Sequence, residues 1–208
     1  MKQALTLLAI IVGIVCGNFP QVFGGETIGK IANEQQTAFV PAGYAFAIWG
    51  LIFAGQLAFG IYQALPAQRD KFAGVRLLAA FNSIFAGAWA VAYSHRLFVL
   101  PWFLMLATLA SLIVLAIKLG SPADRKDYWF VYIPYHLNVG WISVATMANT
   151  SQFLRYQVGW EGAPLTPNAW AGILIVIAAA LGLVMLVKKR DYAFASVIAW
   201  ALIAIGVK

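Results

Sequence analysis

Residues 138–149 read Asn-Val-Gly-Trp-Ile-Ser-Val-Ala-Thr-Met-Ala-Asn, and in this run Asn138, Trp141, Ala145 and Asn149 fall three, four and four residues apart. That spacing puts them on one face of an α-helix. The surrounding segment, 128–150, is apolar enough to sit in lipid, where an amide must find a partner or face a cavity. Two further segments repeat the pattern. Residues 77–94 carry Asn82, Phe85, Trp89 and Tyr93, and residues 41–63 carry Phe46, Trp49 and Phe53, with Gln56 one turn on. Three such faces can wall one flat, aromatic, sparsely polar pocket.

Composition fixes the class. Of 208 residues, 62% are hydrophobic and 10% charged, where a soluble domain carries about 25% charge; the mean hydropathy is +0.82. The chain reads as an all-α, polytopic transmembrane bundle. Its basic residues lie in short loops, where they set orientation and touch anionic headgroups, so membrane lipids rather than nucleic acid are the expected partners. One cysteine, Cys16, and two histidines, His95 and His136, exclude a disulfide framework and make no metal site. Lys2 followed by Ala4–Cys16 resembles a signal peptide, but no clean small-x-small site follows, and the segment reads as a retained first helix.

A span needs about 20 apolar residues. Seven candidates emerge, at about 4–22, 41–64, 76–94, 98–118, 128–151, 168–187 and 192–207. Pro41 can open the second, and Pro134 should kink the fifth. With the N-terminus inside, the inner segments carry Lys2, Arg69, Lys71, Arg76, Lys118, Arg125, Lys126, Lys188, Lys189 and Arg190; the outer ones carry Lys30, Arg96, Arg155 and Lys208. This asymmetry supports N-in, C-out, and a bacterial inner membrane as the location. The one long connection, 23–40, holds Ile28 and Ile31 three apart. It admits a short surface helix and is a candidate lid, with a plain solvated loop as the alternative.

Much chemistry is missing. All seven acids (Glu26, Glu34, Asp70, Asp124, Asp127, Glu161, Asp191) map to loops or helix ends, which argues against a proton-coupled carrier. The last helix has no lysine for a retinal Schiff base. No phosphate loop, zinc motif or hydrolytic triad is present; Ser143 and His136 stand two helical turns apart, about 10 Å. No catalytic residue is assigned, and binding is favoured over catalysis. Trp, Tyr and Asn suit a large planar ligand with few polar groups. His136 reads either as a satisfied hydrogen-bonder or as a ligand contact or pH gate. Gly50, Gly55, Gly60 and Gly87 read as close-packing positions.

Trp141-Ile142-Ser143-Val144-Ala145-Thr146-Met147-Ala148-Asn149 resembles the W-V-S-F-A-T-Y-L-N signature of the TspO/MBR family, the tryptophan-rich sensory or translocator proteins, with Trp, Ser, Ala, Thr and Asn at identical spacing. Pro134-Tyr135 resembles the family's preceding Pro-Tyr. Phe39, Pro41, Gly43, Phe46, Trp49 and Phe53 resemble its second-helix entry, with Tyr44 in place of the first Trp and Phe53 in place of a Tyr. Asn82 resembles the Asn of L-N-x-x-W, with Phe85 where Trp is usual. The resemblance covers about 1–152. It implies a five-helix fold whose pocket is capped by the first loop and binds porphyrins, sterols or aromatic drugs. The expected architecture is thus a five-helix core (1–155) plus two added helices (165–208). Reading and resemblance together nominate Pro41, Phe46, Trp49, Phe53, Asn82, Phe85, Trp89, Tyr135, Asn138, Trp141, Ala145 and Asn149 as ligand-binding. No cofactor is obligatory, although a bound porphyrin or haem precursor fits, and a homodimer is an open assembly. A metabolite transporter and a tetrapyrrole-degrading enzyme stand as alternatives. Val91, Tyr93 and Arg96 fit a loose sterol pattern that ordinary interface anchors also satisfy.

Overall fold

The computed structural model describes residues 1–207; Lys208, counted above among the outer charges, lies outside the described residues. The helices are α1 (Lys2–Asn18), α2 (Ile28–Glu34), α3 (Ile48–Ala64), α4 (Arg76–Ser94), α5 (Val99–Leu119), the single turn α6 (Arg125–Asp127), α7 (Ile133–Tyr156), α8 (Pro167–Lys189) and α9 (Tyr192–Gly206). Gly43–Ala64, Arg76–Ser94, Val99–Leu119 and Pro167–Lys189 are long and apolar enough to cross a membrane. Lys2–Asn18 and Tyr192–Gly206 are apolar but shorter.

The segment expected as one helix over 128–151 arrives in pieces. A π-helical turn, Tyr128–Tyr132, precedes α7, and Pro134 sits in the first turn of α7. Pro134 has no N–H to donate backward, so the ladder changes register there at small cost. Beyond it, every residue from 134 to 144 is buried. α7 packs against α3, α5, α8 and α9, and this enclosure lets it carry Asn138, Ser143, Asn149 and Gln152 without presenting them to lipid. It is absent from the helices that qualify as spans by apolarity alone, because its environment is protein.

Small residues set the helix spacing. A Cβ on Gly13 of α1 would lie 2.3 Å from the Ser83 carbonyl oxygen of α4, and one on Gly87 would lie 3.0 Å from the Gly13 Cα. Gly55 meets Pro134 in the same way, and Gly60 meets Leu7 and Ile10. Gly50 does not pack: a Cβ there would meet nothing within 4 Å.

α8 and α9 share the hydrophobic core with the rest of the chain. The Ala42 N–H donates to the Ala204 carbonyl at 2.9 Å, and the Trp200 indole N–H donates to the Ala45 carbonyl at 3.2 Å. α9 therefore braces the 3-10 turn Gly43–Ala47 that enters α3. At the opposite end Asp191 caps α9, accepting from the Phe194 N–H at 3.0 Å, and pairs with Nδ1 of His136. Asp191 lies at a helix end, as its position in the sequence implies, yet it is fully buried. Asp127 is likewise buried, held by Lys71 at 2.6 Å and the Tyr62 hydroxyl at 3.1 Å.

Gly13→Val forces backbone apart at the α1–α4 contact and should lower stability by about 1–3 kcal/mol, whereas Gly50→Ala should not. Thermal unfolding in detergent measures both, and equal melting of Gly13→Val and the parent protein would contradict this packing.

Candidate functional site

The aromatic faces of α3, α4 and α7 converge below α2 on two adjoining chambers that share Ile28, Phe46, Trp49 and Trp89 in their walls. The inner chamber is closed by Pro41, Trp141, Ala145, Asn149 and Gln152 and holds a cavity of about 40 Å³. The outer one, about 410 Å³, reaches Phe53, Gly17 and Asn18 and is walled by α1, α2, α3 and α4. Among the described residues, no acidic, basic, histidine or cysteine side chain lines either chamber.

Trp49 is the hub. It stacks on Phe53 at 5.1 Å and on Trp89 at 6.4 Å between ring centroids, and meets Trp141 edge-on at 6.2 Å. Phe46 meets Trp141 edge-on at 5.8 Å. Such offset and T-shaped pairs are the favoured aromatic geometries. Polar edges are fixed behind the rings. The Trp89 N–H donates to Asn149 Oδ1 at 3.0 Å, and Asn149 Nδ2 donates to the Ala145 carbonyl at 3.1 Å. The Tyr93 hydroxyl donates to Gln152 Oε1 at 3.3 Å. The Trp141 indole N–H is buried and has no partner among the described residues.

Eight of the residues nominated from the sequence meet at these chambers: Pro41, Phe46, Trp49, Phe53, Trp89, Trp141, Ala145 and Asn149. Four do not. Asn82 turns to α5, donating to the Thr108 carbonyl at 3.2 Å and to Ser111 Oγ at 3.0 Å; it ties helices together. Phe85 stacks on Phe81 at 6.1 Å, away from both chambers. Tyr135 is fully buried edge-on against Phe59, and Asn138 lies in the core one turn before Trp141. Asn82 shares the helical face of Trp89 but not its depth, because seven residues carry a side chain about 10 Å along the axis; Phe85 is at the height of Ala86, which does line the outer chamber, and faces away from it. Ile28, Asn18, Asn33 and Gln152 line the chambers without having been nominated. Gln152, three residues past Asn149, continues the same stripe, whereas Asn18 and Asn33 carry no local signal.

The 23–40 connection covers the chambers. Thr27 caps α2, and Ile28 and Ala32 point down into the inner wall. Arg96, just past α4, binds Glu26 ahead of α2 and Glu34 at its end. The Glu26 N–H donates to the Ser94 carbonyl at 2.9 Å, Gln152 Nε2 to the Gln35 carbonyl at 3.0 Å, and the Tyr156 hydroxyl to the Gln36 carbonyl at 3.1 Å. Lys30 and then Arg96 hold the Glu26 carboxyl below its ordinary range. A lowered folded-state pKa gives stability that is present above the unfolded value and is lost as pH falls through the folded one. The latch should therefore persist at neutral pH and loosen only in acid, below the ordinary titration range of a glutamate. Protection of the Thr27–Gln35 amides, taken relative to their intrinsic exchange rate at each pH, should fall in acid, and at neutral pH in Arg96→Gln; unchanged protection in that variant would remove the latch.

A family model described as TSPO-like protein matches residues 3–208. No curated protein and no solved structure matches the chain. The match runs past residue 152, where the motif resemblance stopped, and takes in α8 and α9. With the aromatic stripes of α3, α4 and α7 set around one covered cavity and the match spanning nearly every residue, the chain belongs to the TSPO-like family.

Proposed function

We propose that this protein binds a hydrophobic planar ligand, such as a porphyrin or sterol-like molecule, between α3, α4 and α7 and beneath α2, as part of its sensing or transport. The observation carrying this reading is the paired chamber of stacked indole and phenyl rings with no charged side chain in its walls. Flat rings offer dispersion contact to a flat guest, and an uncharged wall does not penalise an apolar one. Trp49, Phe53 and Trp141 form the stacking surfaces, the free Trp141 N–H is the donor for one acceptor atom, and Asn18 and Asn33 meet the polar edge at the outer mouth. The inner chamber is small beside a tetrapyrrole, so the guest fills the outer chamber and enters the inner one by parting the Trp49–Trp89 stack. Walls without acid, base or thiol favour reversible binding over bond breaking.

The reading sits in a bundle of seven spans, N-in and C-out, in a bacterial inner membrane, with the 165–208 pair laid against a five-helix core. The lysine- and arginine-rich loops at one end and the lid at the other support that orientation.

Protoporphyrin titration, followed by tryptophan quenching, tests the site. Trp49→Ala and Trp141→Ala should each weaken binding by about tenfold or more, equal to about 1.4 kcal/mol. Asn82→Ala, at the α4–α5 contact, should leave affinity unchanged. Parent-like affinity in both tryptophan variants would overturn the site.

A further inference from the structure

A separate cavity of about 410 Å³ lies on the far side of the lid segment, between residues 36–39, the end of α7 and the start of α8. Its walls combine one cation, Arg155, an exposed amide, Asn168, and two indoles, Trp160 and Trp170. The indoles meet edge-on at 5.6 Å, and each is fixed by its own N–H: Trp160 to the Ala163 carbonyl at 2.9 Å, and Trp170 to Ser151 Oγ at 3.1 Å. The polar groups, by contrast, are unspent. The Thr37 hydroxyl is buried without a partner, and the Asn168 side chain makes no hydrogen bond among the described residues. Arg155 has only Glu161, at 3.9 Å, and that carboxylate is 86% exposed. An exposed pair of this kind contributes little and yields readily to a better anion.

Below this polar rim the surface is apolar. Ile173 and Ile177 follow Trp170 at i+3 and i+7, so they continue its stripe down α8, and both are exposed. A cation and an amide at the rim, indoles at the interface and a bare aliphatic track beneath match the parts of an amphiphile with an acidic head.

We propose that this cavity is a second ligand site, distinct from the aromatic chambers, that seats one anionic phospholipid of the surrounding bilayer. Its phosphate contacts Arg155 and Asn168, and an acyl chain lies along Trp170, Ile173 and Ile177.

Native mass spectrometry of the full chain in detergent tests this with three probes: dioleoylphosphatidylglycerol, dioleoylphosphatidylcholine and glycerol 3-phosphate. The expected result is one retained phosphatidylglycerol per chain, preferred over phosphatidylcholine by about fivefold or more, with no retained glycerol 3-phosphate. Arg155→Gln should abolish the preference while leaving the melting temperature unchanged. Indoles serving only as a general interfacial belt give equal retention of the two lipids, or a preference that survives Arg155→Gln, and either outcome overturns the site. Glycerol 3-phosphate bound as tightly as the lipid also overturns it, in favour of a free-anion site.

Discussion

A polar helix cannot face acyl chains, and the architecture follows from that constraint. α7 carries amides, hydroxyls and an imidazole along most of its length, and lipid offers none of them a partner. The helix is therefore enclosed, with α3, α5, α8 and α9 around it. Its serines and threonines bond back to their own carbonyls, as Ser143 does to Val139 at 2.7 Å and Thr146 to Ile142 at 2.7 Å. Its longer polar side chains reach across to neighbours: Asn149 to Trp89, Gln152 to Tyr93 and to the lid backbone, and His136 to Asp191. Each of these bonds fixes a neighbouring helix, so enclosing α7 and assembling the bundle are one event.

The cavity follows from the same enclosure. Aromatic rings from three helices meet where α7 turns from its tightly buried first half to the Ala145–Asn149 stretch, and small residues there leave room that bulky ones fill elsewhere. α9 holds the rim from one side through Trp200 and Ala204, and Arg96 holds the lid from the other through Glu26 and Glu34. Site and scaffold are therefore coupled: Trp89, Asn149 and Gln152 line the inner chamber and also tie α4, α7 and the lid together.

Periodicity makes the faces legible. The stripes at Phe46–Phe53, Trp89 and Trp141–Asn149 converge because helical register fixes azimuth, and azimuth decides which side faces the bundle. Depth is not encoded in the same way. Asn82 and Trp89 share a face, yet Asn82 meets Thr108 and Ser111 of α5 two turns below the cavity, and nothing local to residue 82 reveals which helix lies opposite it at that height. Composition also misleads in both directions: α7 is the most enclosed helix but not among the most apolar, and Asp191 lies at a helix end yet is sealed from solvent by tertiary packing. The lid helix was readable from Ile28 and Ile31, but its anchoring was not, because Arg96 lies some seventy residues from Glu26 in the sequence.

The proposed guest is flat and hydrophobic and enters a cavity walled by α3, α4, α7 and the lid. Photolabelling with a planar aromatic diazirine, mapped by peptide mass spectrometry, tests it most directly. Adducts are expected at residues 28–53, 89–93 and 141–152, suppressed by excess unlabelled porphyrin. Adducts confined to the outward surfaces of α5 and α8, or insensitive to the competitor, would contradict it.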